Sequence, residues 1–256
     1  MQETTAAAQN RKRIHSMDEI RGFAVLCMIF YHGFYTAAYL LGYDWGLLLL
    51  RFFMPAEPVF AGLFIFISGI SSNLSHSNLI RGAKLLAVAL VVTLATVIVV
   101  PQEAIWFGIL HFLSICMILC GLVKPFCDRQ RFSWIPPVLC AALYAVTMSV
   151  PSGSLFFGLI PLPDACYQFS WLAPLGFPSA SFASSDYFPL IPWIFIFFAG
   201  FFVGRLAADG KFPAWLYKSR IPPLSWMGRH ALILYILHQP VIYGLGLLIQ
   251  TLTGQG

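Results

Sequence analysis

Long apolar runs alternate with short polar stretches along almost the whole chain. Seven of these runs approach the roughly 20 residues that a helix needs to cross the hydrocarbon core of a bilayer. They predict membrane-spanning helices at residues 20–41, 55–74, 83–100, 104–123, 134–150, 188–206 and 230–250. The pattern therefore predicts an all-α, polytopic membrane helical bundle of about seven spans.

Two shorter apolar stretches do not fit this pattern. Residues 46–53 and 155–163 are too short to span alone and are typical of interfacial or re-entrant segments. Whether 46–53 and 155–183 enter the membrane is left open by the sequence. The loops are too short to hold a second domain, so we expect a polar, disordered cytoplasmic tail at 1–15 and one transmembrane domain at 16–256.

Composition excludes a soluble globular protein. Apolar residues make up 59% of the chain and charged residues 10%, whereas soluble domains have about 25% charged residues. If the N-terminus is inside and the C-terminus outside, 14 of the 15 Lys and Arg residues lie on the cytoplasmic side, and Arg51 is the exception. The net charge of +5 is then a topology signal and does not indicate a nucleic-acid partner. No metal site is predicted, because no CxxC or histidine-rich spacing is present.

Three histidines lie in the interior of predicted spans, where ionisable side chains are costly and usually functional. His32 follows Arg21 by 11 residues and His238 follows Arg229 by nine. Both are therefore expected about 14–16 Å in from the cytoplasmic side, near the middle of the membrane. His111 has a similar depth, counted from the outer side. Alternatively, each of the three is a neutral histidine hydrogen-bonded between packed helices.

Polar side chains share helical faces with two of these histidines. Tyr35 falls on the stripe of His32, and Tyr235 falls on the stripe of His238. Asp186 precedes the sixth span, where it either caps that helix or lies at the outer mouth of a site. These positions favour a polar site within the bundle.

Five blocks of sequence carry a family resemblance. They are "SMDEIRGFAVLCMIFYHG", "FAGLFIFISGISSNLS" followed by "RGAKLL", "WFGILHFLSI", "DYFPLIPWIFIFFAGFFVGR" and "GRHALILYILHQPVI". In order and spacing they resemble the bacterial relatives of the heparan-alpha-glucosaminide N-acetyltransferase catalytic domain over residues 14–245. More distantly, the D-x-x-R-G opening and the closing Y-x-x-H-x-P resemble the transmembrane acyltransferase superfamily.

The resemblance implies an acetyltransferase that takes an acyl group from cytosolic acetyl-CoA and passes it to a sugar or glycan acceptor across a bacterial-type inner membrane. It implies catalytic roles for His32 and His238, which match the histidines of the first span and of the closing motif. His111, at a similar depth, is expected to join them as a catalytic donor to the oxyanion. Coenzyme A phosphates are expected at the inner basic residues Arg21, Arg81, Lys84 and Arg229. Tyr35, Tyr235 and Asp186 are expected on the acceptor side.

One feature departs from the lysosomal enzyme that names the family. There the position of His32 resembles an asparagine, and a histidine lies in the lumenal loop after the first span. Here that loop reads "LLGYDWG" and has no histidine. A covalent acetyl-histidine step is therefore not carried over, and His32 is expected to act as a general base.

Two other functions fit the same residues. A proton-coupled transporter of a small solute would also place histidines at mid-membrane, although no pair of interrupted helices stands at matching positions in two halves. A binding or assembly subunit would need no chemistry. Acetyl-CoA binding separates the enzyme from both alternatives. Membrane lipid is a partner in every case, and the oligomeric state, a homodimer included, is left open.

Overall fold

The computed structural model describes residues 13–75, 77–128 and 132–253. Within these residues the chain forms nine α-helices and one two-stranded hairpin. The helices are α1 (His15–Tyr35), α2 (Asp44–Phe53), α3 (Glu57–Leu74), α4 (Asn78–Val99), α5 (Ile109–Cys127), α6 (Ile135–Thr147), α7 (Leu190–Ala208), α8 (Pro222–Arg229) and α9 (Ala231–Thr253). The antiparallel strands are β1 (Ser154–Leu155) and β2 (Ile160–Pro161).

Seven helical segments of the described ranges are long and apolar enough to cross a membrane. They are His15–Leu40, Asp44–Leu74, Asn78–Val99, Ile109–Cys127, Ile135–Ser152, Leu190–Ala208 and Ala231–Leu252. The prediction of an all-α, polytopic membrane protein is thereby confirmed. Most helix ends lie within a few residues of the predicted spans, because each boundary coincides with a polar or proline-containing stretch.

The segment 46–53 is not a separate piece of structure. It forms most of α2, which continues through a 3₁₀ turn at Met54–Ala56 into α3. The combined segment Asp44–Leu74 has 31 residues, or about 46 Å of helix at 1.5 Å per residue. Since the hydrocarbon core is about 30 Å thick, this segment is long enough to cross it and extend beyond.

The start of α1 lies earlier than the sequence predicted. The helix begins at His15, whereas the first span was predicted from residue 20. Residues 1–12 of the predicted tail lie outside the described residues. Arg13, which was assigned to that tail, donates from Nε to the carboxylate of Asp18 at 2.6 Å.

The chain forms two compact units, and the boundary between them falls within α3, after Phe64. The first unit contains residues 13–64 and 212–253 of the described chain, in which α1 packs against α2, α8 and α9. The contact of α1 with α8 is very close: a Cβ atom on Gly22 would lie 1.9 Å from the carbonyl oxygen of Leu224. Only glycine allows the two backbones to approach in this way.

The second unit contains residues 65–211, where α4 packs against α5 and α6 packs against α7. The Gly- and Ser-rich stretch of α3 forms a close packing surface against α7. A Cβ atom on Gly69 would lie 2.1 Å from the carbonyl oxygen of Phe197 on α7. Small residues thus let two transmembrane helices come into backbone contact.

Candidate active site

The first unit brings two of the three predicted histidines together. His32 on α1 and His238 on α9 have ring centroids 5.0 Å apart, with an angle of 55° between the ring planes. The ring of Tyr31 contacts His32 edge-on at 5.4 Å, and that of Tyr235 lies 5.7 Å from His238. Two imidazoles therefore face each other among aromatic side chains.

Hydrogen bonding assigns the tautomer of His238. Its Nδ1 lies 2.6 Å from the carbonyl oxygen of Tyr235, one turn earlier in α9. A carbonyl oxygen only accepts, so Nδ1 carries the proton and donates. In the neutral ring, Nε2 then carries the lone pair. His238 is 9% exposed, so this basic nitrogen belongs to a largely buried ring.

A polar pair lies next to the histidines. The hydroxyl of Thr36 donates to Oε1 of Gln239 at 3.3 Å, which joins α9 to the end of α1. Thr36 is 1% exposed, and it begins a π-helical turn, Thr36–Leu40. Such turns are frequent at functional sites. Within the same turn lies Tyr39, whose ring centroid is 5.0 Å from that of Tyr35.

Arg21 lies at the start of α1 in a charge cluster. Its guanidinium donates to Asp18 at 3.3 Å, and the second carboxylate oxygen of Asp18 accepts from Arg13 at 2.6 Å. Asp18 is buried, and the side chain of Arg21 is 18% exposed. The carboxylate therefore fixes the position of the Arg21 guanidinium while part of that group remains accessible.

A buried carboxylate also holds the segment that leads into α8. Oε1 of Glu19 accepts from the backbone N–H groups of Arg220 (2.6 Å) and Ile221 (2.9 Å) and from the hydroxyl of Ser219 (3.2 Å). Glu19 is 8% exposed. This arrangement fixes the segment directly before α8, the helix that carries the predicted cofactor-binding residue Arg229.

His111 belongs to the second unit, where a threonine fixes its tautomer. The hydroxyl of Thr93 donates to the carbonyl oxygen of Ile105 at 2.7 Å, so its one proton is already used. It must therefore accept from Nε2 of His111, 3.2 Å away. The lone pair of the neutral ring is then at Nδ1, a buried atom that has no hydrogen-bond partner among the described residues.

Asp186 caps a helix, but not the one that the sequence suggested. Its Oδ2 accepts from the backbone N–H of Ile109, the first residue of α5, at 2.9 Å. A Cβ atom on Gly108 would lie 2.3 Å from that oxygen, so only glycine admits the carboxylate. The expectation that Asp186 caps its own helix, α7, is wrong, because the loop folds it back onto α5.

The residue after Asp186 stays neutral. The hydroxyl of Tyr187 donates to the carbonyl oxygen of Ala173 at 2.7 Å, and burial raises the pKa of Tyr187 well above its usual range. The protonated phenol of Tyr187 therefore links two parts of the loop that precedes α7, next to the residue that caps α5.

The remaining predicted cofactor residues are Arg229 in the first unit and Arg81 and Lys84 in the second. The guanidinium of Arg229 donates to the hydroxyl of Ser225, one turn earlier in α8, at 3.1 Å. Arg81 and Lys84 are exposed in the first two turns of α4, where the helix dipole favours anions. Among the described residues, no group of three or more His, Cys, Asp or Glu side chains is arranged to hold a metal ion.

Comparison with known families gives a match over most of the chain. The model of the family described as heparan-alpha-glucosaminide N-acetyltransferase, catalytic, matches residues 13–240. This chain belongs to that family. No curated protein and no solved structure gives a significant match.

Membership of the heparan-alpha-glucosaminide N-acetyltransferase catalytic family makes this chain a transferase-type membrane protein. The range matched to the family includes all ten predicted site residues and ends two positions after His238. The resemblance of the sequence blocks to this family is thus confirmed.

Three residues of the family-matched region were missed by the sequence analysis: Glu19, Thr36 and Thr93. Glu19 lies inside the "MDEIRG" block, and Thr36 lies four residues after His32, so spacing could have indicated both. Nothing local marks Thr93, because it meets His111 through the packing of α4 against α5.

Proposed function

We propose that the chain is a membrane acetyltransferase that moves an acetyl group from cytosolic acetyl-CoA to a sugar or glycan acceptor across the membrane. The observation that carries this proposal is the contact between His32 and His238. In His238, Nδ1–H is fixed by a hydrogen bond, so Nε2 is the basic nitrogen. Neutral imidazole is a suitable general base near neutral pH. Membership of the family supports the reaction class.

The proposed reaction is a direct transfer. An acceptor hydroxyl or amine gives its proton to Nε2 of His238 while its oxygen or nitrogen attacks the thioester carbonyl carbon. The carbon–sulfur bond then breaks, and coenzyme A leaves as a thiolate that takes up the proton from the imidazolium. We propose His238 as the base in place of His32, because its hydrogen bond to Tyr235 fixes the tautomer. His32 contacts this base through its ring. The hydroxyl groups of Tyr35 and Tyr235 are proposed donors to the oxyanion or to the acceptor.

Fixed cations at the start of α1 and the end of α8 fit an anionic donor. Arg21 is held by Asp18. Arg229 donates to Ser225 within α8, and Glu19 fixes the segment that leads into this helix. Coenzyme A carries several phosphate charges, which guanidinium groups bind well. In the second unit, Arg81 and Lys84 are proposed as further phosphate contacts, since both are exposed at a helix N-terminal end.

His111 and Asp186 are proposed to serve the acceptor end of the reaction. Thr93 fixes the lone pair of His111 at Nδ1, and Asp186 fixes the start of the helix that carries this histidine. His111 is therefore a second candidate base. The role of Asp186 is to position it, because its carboxylate binds the backbone of Ile109.

Membrane orientation completes the proposal. We propose that the N-terminus and the segment before α8 are cytoplasmic and that the C-terminus is outside. This arrangement assigns 14 of the 15 Lys and Arg residues to the cytoplasm, namely all but Arg51. The membrane is proposed to be a bacterial-type inner membrane.

Purified full-length protein in lipid nanodiscs tests the proposed function. It is expected to bind acetyl-CoA and to release coenzyme A in the presence of an amino-sugar or glycan acceptor, with radiolabelled acetyl recovered on that acceptor. Facing histidines also suit a proton relay, so proton-coupled solute uptake by proteoliposomes is measured in parallel. Solute uptake without acetyl-CoA binding would show that the protein is a transporter and would contradict the proposed enzyme.

A further inference from the structure

The loop between α6 and α7 begins with a small hairpin whose tip carries apolar side chains. Strands β1 and β2 pair Ser154 with Pro161 and Leu155 with Ile160, and the tip between them reads "FFGL". The tip residues Phe157 and Leu159 are 68% and 81% exposed. Their neighbours Phe156 and Ile160 are 42% and 47% exposed. Four large apolar side chains thus extend from one short turn.

The backbone of this tip adopts a conformation that phenylalanine disfavours. Phe156 and Phe157 have φ angles of 51° and 60°, and Gly158 follows with 96°. Left-handed backbone is unfavourable for a residue with a Cβ atom, and such outliers mark positions where a constraint outweighs the strain. Here the left-handed run keeps two aromatic rings at the tip of the hairpin.

The exposed apolar surface continues onto a predicted membrane span. The hairpin contacts α6, and Met148, which lies between that helix and the hairpin, is 43% exposed. No charged residue occurs between residues 132 and 163, which is a described part of the chain throughout. An apolar patch of this size on a soluble surface would mark an interaction site, and here it adjoins the surface that lipid covers.

We propose that the hairpin tip, residues 156–160, is an interfacial anchor whose partner is the lipid bilayer at the boundary between headgroups and acyl chains. The tip is too short to reach deep into hydrocarbon, and aromatic side chains favour this boundary. The hairpin thereby holds the beginning of the loop from α6 to α7 at the membrane surface. Near its other end, the same loop carries Asp186, which caps α5. The proposal is independent of the acetyltransferase function.

Site-directed spin labelling tests this contact in full-length protein reconstituted into phosphatidylcholine vesicles. Phe157→Cys and Leu159→Cys place a nitroxide at the tip, and Leu159→Cys keeps the native phenylalanines if the first variant fails to fold. Ser181→Cys, an exposed position of the same loop, is the matched control. All variants carry Cys166→Ser, because that thiol is partly exposed nearby. The parent protein with this change, labelled in parallel, corrects for the remaining cysteines.

Labels at 157 and 159 are expected to collide more with lipid-soluble oxygen than with a water-soluble nickel chelate, and the label at 181 should show the opposite preference. Nickel accessibility at the tip equal to that at 181 would overturn the proposal. Protection of the tip from both reagents would also overturn it, because a protein surface, such as a second copy of this chain, would then cover the hairpin.

Discussion

The imidazole rings of His32 and His238 lie with their centroids 5.0 Å apart, although one residue belongs to the first transmembrane helix and the other to the last. The separation is short enough for each ring to form part of the surroundings of the other. A change at one position therefore alters the environment of the other ring. To separate the role of His32 from that of His238, each variant must preserve the packing between the two side chains.

His32→Phe keeps an aromatic ring against Tyr31 and His238 but removes both nitrogen atoms. If His32 assists the transfer, acetyl transfer should fall by about 10-fold or more, while acetyl-CoA affinity and thermal stability stay near those of the parent protein. Steady-state transfer and equilibrium binding in nanodiscs measure the two quantities. Parent-like transfer by the folded variant would make His32 a packing residue.

Arg21→Ala should weaken acetyl-CoA binding. Loss of a charge-assisted hydrogen bond to a phosphate costs about 1.5–3 kcal/mol, or roughly 10- to 100-fold in affinity. Arg13→Ala is the matched control, because it removes the other cationic partner of Asp18. The dissociation constant, measured by isothermal titration calorimetry, should change only for Arg21→Ala. Equal losses in both variants would show that the Asp18 cluster, and not a phosphate contact, sets the affinity.

Glu19→Ala should destabilise the protein, because the N–H groups of Arg220 and Ile221 lose the charged oxygen that accepts from both of them. The expected cost is about 2–3 kcal/mol. Glu19→Gln keeps an acceptor oxygen and should cost less. Thermal unfolding in detergent measures this order, with the exposed Asp209→Asn as a control near zero. An unchanged melting temperature for Glu19→Ala would contradict the role of Glu19 in holding the segment before α8.

The helices of this chain could be predicted from sequence because a bilayer demands apolar segments of nearly constant length. The same constraint located His32 and His238 at similar depths from the cytoplasmic side, and the structure brings these two together. Helical spacing then gave the faces on which they lie. Depth and face are both local properties of one helix, and a sequence expresses them directly.

Contacts between distant segments could not be predicted in this way. The backbone partners of Glu19 lie about 200 residues away, and Asp186 caps α5 instead of the helix that follows it. Each contact depends on how a loop folds back, which hydropathy does not encode. The continuity of α2 with α3 was missed for another reason, since Pro55 interrupts the pattern although a 3₁₀ turn accommodates it.

Thr93→Val should no longer fix the tautomer of His111, because the hydroxyl that accepts from Nε2 is removed. Thr93→Ser retains that hydroxyl and serves as the control. We expect Thr93→Val to lose about 1–3 kcal/mol of stability and, if His111 is a catalytic base, to transfer acetyl more slowly per folded molecule. A stability loss with unchanged transfer would assign His111 to packing alone.

The most direct test of the proposed mechanism is acetyl transfer by His238→Asn, measured beside acetyl-CoA binding on the same nanodisc sample. The amide nitrogen of asparagine is bonded to Cγ, as Nδ1 of histidine is, so its N–H can still reach the carbonyl oxygen of Tyr235 while the basic nitrogen is lost. We expect unchanged acetyl-CoA affinity and transfer reduced by about 10²-fold or more, with His230→Asn at the parent rate. Transfer by His238→Asn at the parent rate would contradict the assignment of His238 as the base.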